Sequence, residues 1–207
     1  GLPGSRPIPP QFRSDGAWGV KAVDDSGKVL WTRSDVRGPE TITIARTEGG
    51  KGFRIATVTQ PKGLVPVDDD TRAISFLDPS SGRVTESHRL PNGALLFPDF
   101  SDRFRVDSLS AVDLEGDGDD EIVAVFLHNP YFPSYAVLFE PRSSASRVLL
   151  ASSGHARLAG AFDLDGDGRR ELVFAGPNNR MGWMSGVAAI RVPPLSVPYG
   201  ARTGDSL

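Results

Sequence analysis

A pattern of alternating acids and glycines occurs twice in this chain, as AVDLEGDGDDEIVAV at 111–125 and AFDLDGDGRRELVF at 161–174. Asp113, Glu115, Asp117, Asp119 and Glu121 of the first copy stand where Asp163, Asp165, Asp167, Arg169 and Glu171 stand in the second, 50 residues on. Acids at such density repel one another unless something holds them together. One copy alone is accounted for by a solvated turn, since Asp and Gly are ordinary turn residues. Two copies ask for a shared structural unit, and the flanks indicate which. LSAVD before the first loop and EIVAVFL after it are short, β-branched and aromatic, which reads as strand, loop, strand.

Acids at the first, third and fifth positions with glycine between them let a loop wrap oxygens around a hard cation. Calcium accepts six to eight oxygen ligands from carboxylates, backbone carbonyls and water. On this reading Asp113, Glu115 and Asp117 supply side chains, Asp119 its backbone carbonyl and Glu121 a closing carboxylate. The second loop uses Asp163, Asp165, Asp167, the carbonyl of Arg169, and Glu171. An arginine is tolerated there because only its main chain faces the ion. Gly116, Gly118, Gly166 and Gly168 permit a tight, partly left-handed path. An EF-hand needs flanking helices and a bidentate Glu at position twelve, where this chain has Ala124 and Phe174.

The pattern Asp-x-Asp-Gly-Asp-Gly-x-x-Glu followed by an apolar strand resembles the calcium loop of the FG-GAP and VCBS repeats. That resemblance implies β-propeller blades of the integrin α-subunit kind, bound calcium, an extracytoplasmic setting (periplasmic, cell-surface or secreted) and a role in adhesion or sensing. Strand, variable turn and strand follow each loop, at 121–150 and 171–192, and the same order fits 53–90. Moving back, ITIARTEGGKGFRIATV at 42–58 aligns with LSAVDLEGDGDDEIVAV, placing Arg46 opposite Asp113, Glu48 opposite Glu115, Gly50 opposite Asp117 and Arg54 opposite Glu121. This copy keeps the shape and loses the ligands, so no metal is assigned to it. WGVKAVDDSGKVLWTR at 18–33 resembles the latter half of a unit, with DDSG as its hairpin turn.

The expectation is therefore an all-β, propeller-like array of about three to four antiparallel four-stranded blades, an open arc or part of a larger propeller. Full units start near 41, 106 and 157, with strands at about 108–113, 121–127, 158–163 and 171–175. Residues 1–14 read as a Pro-rich linker, 15–193 as the repeat domain and 194–207 as a tail. Twenty-three Gly and 17 Pro in 207 residues fit many short strands joined by turns.

A net charge of −3 with no basic cluster gives no nucleic-acid footprint. No stretch reaches the length of a membrane span and no signal peptide is present, so the chain reads as a mature form or a domain of a longer protein. The lack of cysteine removes disulfide and thiolate chemistry and leaves the compartment open. His88, His128 and His155 share no spacing with a Ser or Asp, which favours structural roles. Trp18, Trp31 and Trp183 are read as packing residues, and HNPYFPSY at 128–135, with Tyr131, Phe132 and Tyr135, as the most exposed aromatic group.

Two function classes follow. One is a non-enzymatic calcium-binding module presenting loops to a protein or glycan. The other is the propeller portion of a secreted enzyme, such as a polysaccharide lyase or a quinoprotein-like dehydrogenase, because KAVDDSGKVLW resembles a quinoprotein blade without its cofactor chemistry.

Overall fold

The computed structural model describes residues 11–14, 19–36, 38–58, 73–91, 96–97, 104–128, 133–178 and 184–193. Fourteen strands and one 3-10 turn are found among them, with no α-helix. They form four antiparallel sheets, none closed, in the spatial orders β1-β2-β3, β4-β5-β6-β7, β11-β10-β9-β8 and β12-β13-β14. The first sheet comprises β1 (Gln11–Ser14), β2 (Val20–Val23) and β3 (Val29–Arg33). The second comprises β4 (Ile42–Thr47), β5 (Gly52–Val58), β6 (Ala73–Leu77) and β7 (Val84–Arg89). The third comprises β8 (Phe104–Val112), β9 (Glu121–His128), β10 (Ser134–Glu140) and β11 (Ala145–Ser152). The fourth comprises β12 (Arg157–Phe162), β13 (Glu171–Asn178) and β14 (Met184–Ile190).

The expected strand, loop, strand units are all present, starting at Ile42, Phe104 and Arg157. Two details differ. The last sheet has three strands among the described residues where four were expected, and the 194–207 segment lies outside those residues. Gln11–Ser14, within the segment expected to be linker, pair with β2 as an edge strand.

Cross-strand pairing supports the alignment of the degenerate unit. Ala45 pairs with Arg54, Val112 with Glu121 and Phe162 with Glu171, so the three positions read as equivalent from sequence occupy the same rung. The acidic loop of the third and fourth sheets is replaced in the second sheet by a turn at Glu48–Lys51, because β4 and β5 pair as far as Thr47 and Gly52.

The sheets pack face to face in chain order, which explains the apolar runs. In β9, Ile122, Ala124 and Phe126 pack toward the second sheet, and Val123 and Val125 toward the fourth. A strand buried on both faces cannot alternate with polar residues, and IVAVFL does not. Trp31 joins the first two sheets: it is 7% exposed and its Nε1 donates to the Pro79 carbonyl at 2.8 Å. Tyr135, expected among exposed aromatics, is 1% exposed on β10 and stacks on Phe126 with centroids 4.7 Å apart. The prolines of HNPYFPSY signalled a turn, but Ser134 already starts the next strand. Trp18, Tyr131, Phe132 and Trp183 lie outside the described residues.

Candidate functional site

The acidic loops leave β8 and β12 on the same side of the stack and return as β9 and β13. Their internal wiring is the same. The carboxylate of Asp113 accepts from the backbone N–H of Gly116 at 2.7 Å and of Gly118 at 3.1 Å. That of Asp163 accepts from Gly166 at 2.7 Å and Gly168 at 3.0 Å. Glu121 Oε2 takes the Leu114 N–H at 3.1 Å, and Glu171 Oε2 takes the Leu164 N–H at 3.0 Å. Asp117 and Asp167 each accept the N–H two residues on, from Asp119 and Arg169, both at 2.9 Å. Such a path needs left-handed backbone: φ is +74° and +86° at Gly116 and Gly118, and +78° and +86° at Gly166 and Gly168.

Backbone donors fix the first and ninth acids of each loop, Asp113 and Asp163 through both of their oxygens. In the second loop one oxygen from each of Asp163, Asp165 and Glu171 lies within 4.8 Å of the others. Oxygens ligating one ion at about 2.3–2.6 Å span at most about twice that distance, so this trio fits around a single cation. No other trio of His, Cys, Asp or Glu meets that spread among the described residues. Arg191 occupies this cluster: its Nη2 lies 3.2 Å from Asp167 and 2.9 Å from Glu171 and also pairs with Asp165, so an ion bound there would displace the guanidinium. The Arg169 side chain lies 3.5 Å from Glu115 of the preceding loop.

The first loop is held differently. Arg142 Nη1 bonds Asp117 at 2.9 Å while its Nη2 pairs with Asp119. Asp119, expected to offer only its carbonyl, accepts the Gly49 N–H through its side chain at 2.5 Å and is 8% exposed. Asp113 is 6% exposed and lies 3.4 Å from Arg46 Nη2, while Glu115 stays half exposed. Burial pushes the Glu121 carboxyl up to about 7, against the opposing Leu114 N–H.

Sequence reasoning missed four residues at these loops. Arg142 and Arg191 both follow the third strand of their unit and both reach back to the third, fifth or seventh loop acid. That shared placement is the signal that finds them. Asp120 and Arg170, at the eighth loop position, each bind the start of the preceding unit: the Asp120 N–H donates to the Arg46 carbonyl, and that of Arg170 to the Leu114 carbonyl, both at 3.0 Å.

Two cavities adjoin the loops. One of 520 Å³ opens between the Glu48–Lys51 turn and the first acidic loop, lined by Phe53, Arg54, Asp119, Glu121 and Arg142 among others. A second of 360 Å³ lies between β4, β8 and β12, where Arg46, Asp113, Asp120 and Arg170 meet. The histidines do not assemble into a site. His88 pairs with Glu86, His128 packs edge-on to Phe104, and His155 lies 3.6 Å from Asp107. No protein-family model matches the chain, and no curated protein matches it.

Proposed function

We propose that this chain is a calcium-stabilised, non-enzymatic interaction module built of propeller-type blades, resembling the FG-GAP and VCBS repeats and working in an extracytoplasmic setting. The observation that carries the reading is the repetition of one loop geometry at 113–121 and 163–171, with three carboxylate oxygens of the second loop within 4.8 Å of one another. An all-oxygen donor set on a loop of this length suits a hard cation, and calcium tolerates irregular coordination better than magnesium does. Asp163, Asp165, Asp167, the Arg169 carbonyl and Glu171 would hold the ion in one loop, and Asp113, Glu115, Asp117, the Asp119 carbonyl and Glu121 in the other. Bound there, it ties the ends of two core strands together and neutralises the loop. The protein or glycan ligand would meet the turns around these loops.

Calorimetric titration of the chelator-treated chain tests this reading. Calcium should bind at about 10⁻⁴–10⁻³ M, the range of extracellular modules, and raise the melting temperature, with magnesium much weaker. Equal unfolding curves in chelator and in millimolar calcium overturn it.

A further inference from the structure

The fourth sheet carries on its outer face the residues that the second and third sheets bury beneath their successors. In the second sheet Ala56 and Val58 of β5 pair with Phe76 and Ile74 of β6, and all four are at most 1% exposed under the third sheet. In the third, Val123 and Val125 pair with Leu138 and Ala136, again at most 1% exposed, under the fourth. The same rungs of the fourth sheet pair Val173 with Ala189 and Ala175 with Val187. All four are apolar, yet Val187 is 75% exposed, Ala189 is exposed, and Val173 and Ala175 are half buried. Phe162, 50% exposed, extends this face across Gly160, whose backbone its ring overlies. An exposed patch of large apolar side chains marks an association surface.

We propose that this face pairs with the same face of a second copy of the chain, β12–β14 against β12–β14 across a two-fold axis. Continuity with the internal interfaces says what covers it: each equivalent face in the chain is covered by an apolar sheet. The chain's other terminal sheet is a poorer match, because Lys21 and Thr32 stand on the side of β2 and β3 away from Val20, Ala22 and Trp31, which face the second sheet. The β12–β14 face is apolar at its centre, with Arg157 and Glu171 at its two ends, and two-fold association is the commonest way such a surface is satisfied. Three strands about 4.8 Å apart and about 7 residues long at 3.3 Å each give a face of about 15 by 23 Å. That is small for an obligate dimer, so the association is of the weak, reversible class.

Sedimentation velocity of the 207-residue chain at rising concentration tests the pairing. The expected result is a reversible monomer–dimer equilibrium. Val187→Glu, at a position too exposed to unfold the sheet, should raise the dissociation constant at least about tenfold with an unchanged circular dichroism spectrum. Val29→Glu, on the first sheet where Val29 is 49% exposed, should leave the dimer intact. A wild-type chain that stays monomeric up to about 1 mM, or a dimer indifferent to Val187→Glu, overturns the proposal. Loss of association on Val29→Glu, or growth beyond dimer, also overturns it by pointing to head-to-tail stacking.

Discussion

Arg46 and Asp120 meet across the junction of the second and third sheets, with Nη2 2.6 Å from Oδ1, and at the next junction the contact is reversed. There Arg170, in the place of Asp120, gives its Nη1 proton to the carbonyl of Asp113, in the place of Arg46, at 3.0 Å. Donor and acceptor have exchanged sides while the backbone geometry stays the same. The degenerate unit is thus a specific partner of its successor: its arginine supplies the cation that the first acidic loop lacks on that side.

Removing the Arg46 side chain takes the guanidinium from two carboxylates that are each 6% exposed, Asp113 and Asp120, which keep only backbone N–H donors of those contacts. Because half of the Arg46 side chain is exposed, Arg46→Ala should cost only about 1–3 kcal/mol in denaturant unfolding. Asp120→Ala should cost a similar amount, and the double variant should cost less than the sum of the two. Additive losses would mean the pair is incidental.

Gly118 has φ +86° and lies against the neighbouring turn, so that a Cβ would come 2.7 Å from the Gly49 carbonyl carbon. Gly168 has the same φ with nothing within 4 Å. Gly168→Ala should therefore cost only the left-handed penalty of about 1–2 kcal/mol, and Gly118→Ala distinctly more, as read from urea midpoints. Equal costs would show that the two turns do not touch.

Calcium binding should be unequal between the loops. The oxygens of Asp163, Asp165 and Glu171 already converge, with Arg191 paired to the latter two, whereas Asp113 and Asp119 of the first loop are engaged by two arginines, Arg46 and Arg142, and by the Gly49 N–H. At a hundredfold excess over Kd one site adds about 2.7 kcal/mol, which corresponds to a rise of about 5–10 °C for a chain of this size. Asp165→Ala should remove most of the calcium-dependent shift in thermal unfolding, and Asp117→Ala much less. The reverse order would place the stronger site in the first loop.

The Glu121 carboxyl, pushed up to about 7 by burial, binds its proton more tightly in the folded chain than in the unfolded one. The stability this adds is complete below the unfolded value near 4.5 and is lost as pH rises through about 7. The calcium-free chain should therefore lose stability over that window, and Glu121→Gln should flatten the slope. Calcium, if held by Glu121, should release a proton on binding near pH 6, measurable as a buffer-dependent heat.

The strands and acidic loops were legible because both signals are local. Alternating acids and glycines mark the turn, and the β-branched and aromatic residues of EIVAVFL beside it mark a strand. The partners of the acids were less legible. Arg142 stands 25 residues after Asp117, and Arg191 26 residues after Asp165, so only the sheet that returns them to the loop reveals the pairing. Asp107 was invisible for a related reason: a bulge in β8 between Val106 and Ser108 sets it apart from its strand, and it meets Arg157 of the next unit at 2.9 Å.

The reversed contact at the two junctions also governs the order in which the sheets stack. Neighbouring repeats with interchangeable faces invite misassembly as they fold. Here a fourth sheet that settled on the second would bring Arg170 against Arg46, two guanidiniums with no carboxylate between them, and would leave Asp113 and Asp120 without either. Exchanging donor and acceptor from one junction to the next thus disfavours the second sheet as a seat for the fourth, a preference in stacking order carried by charge.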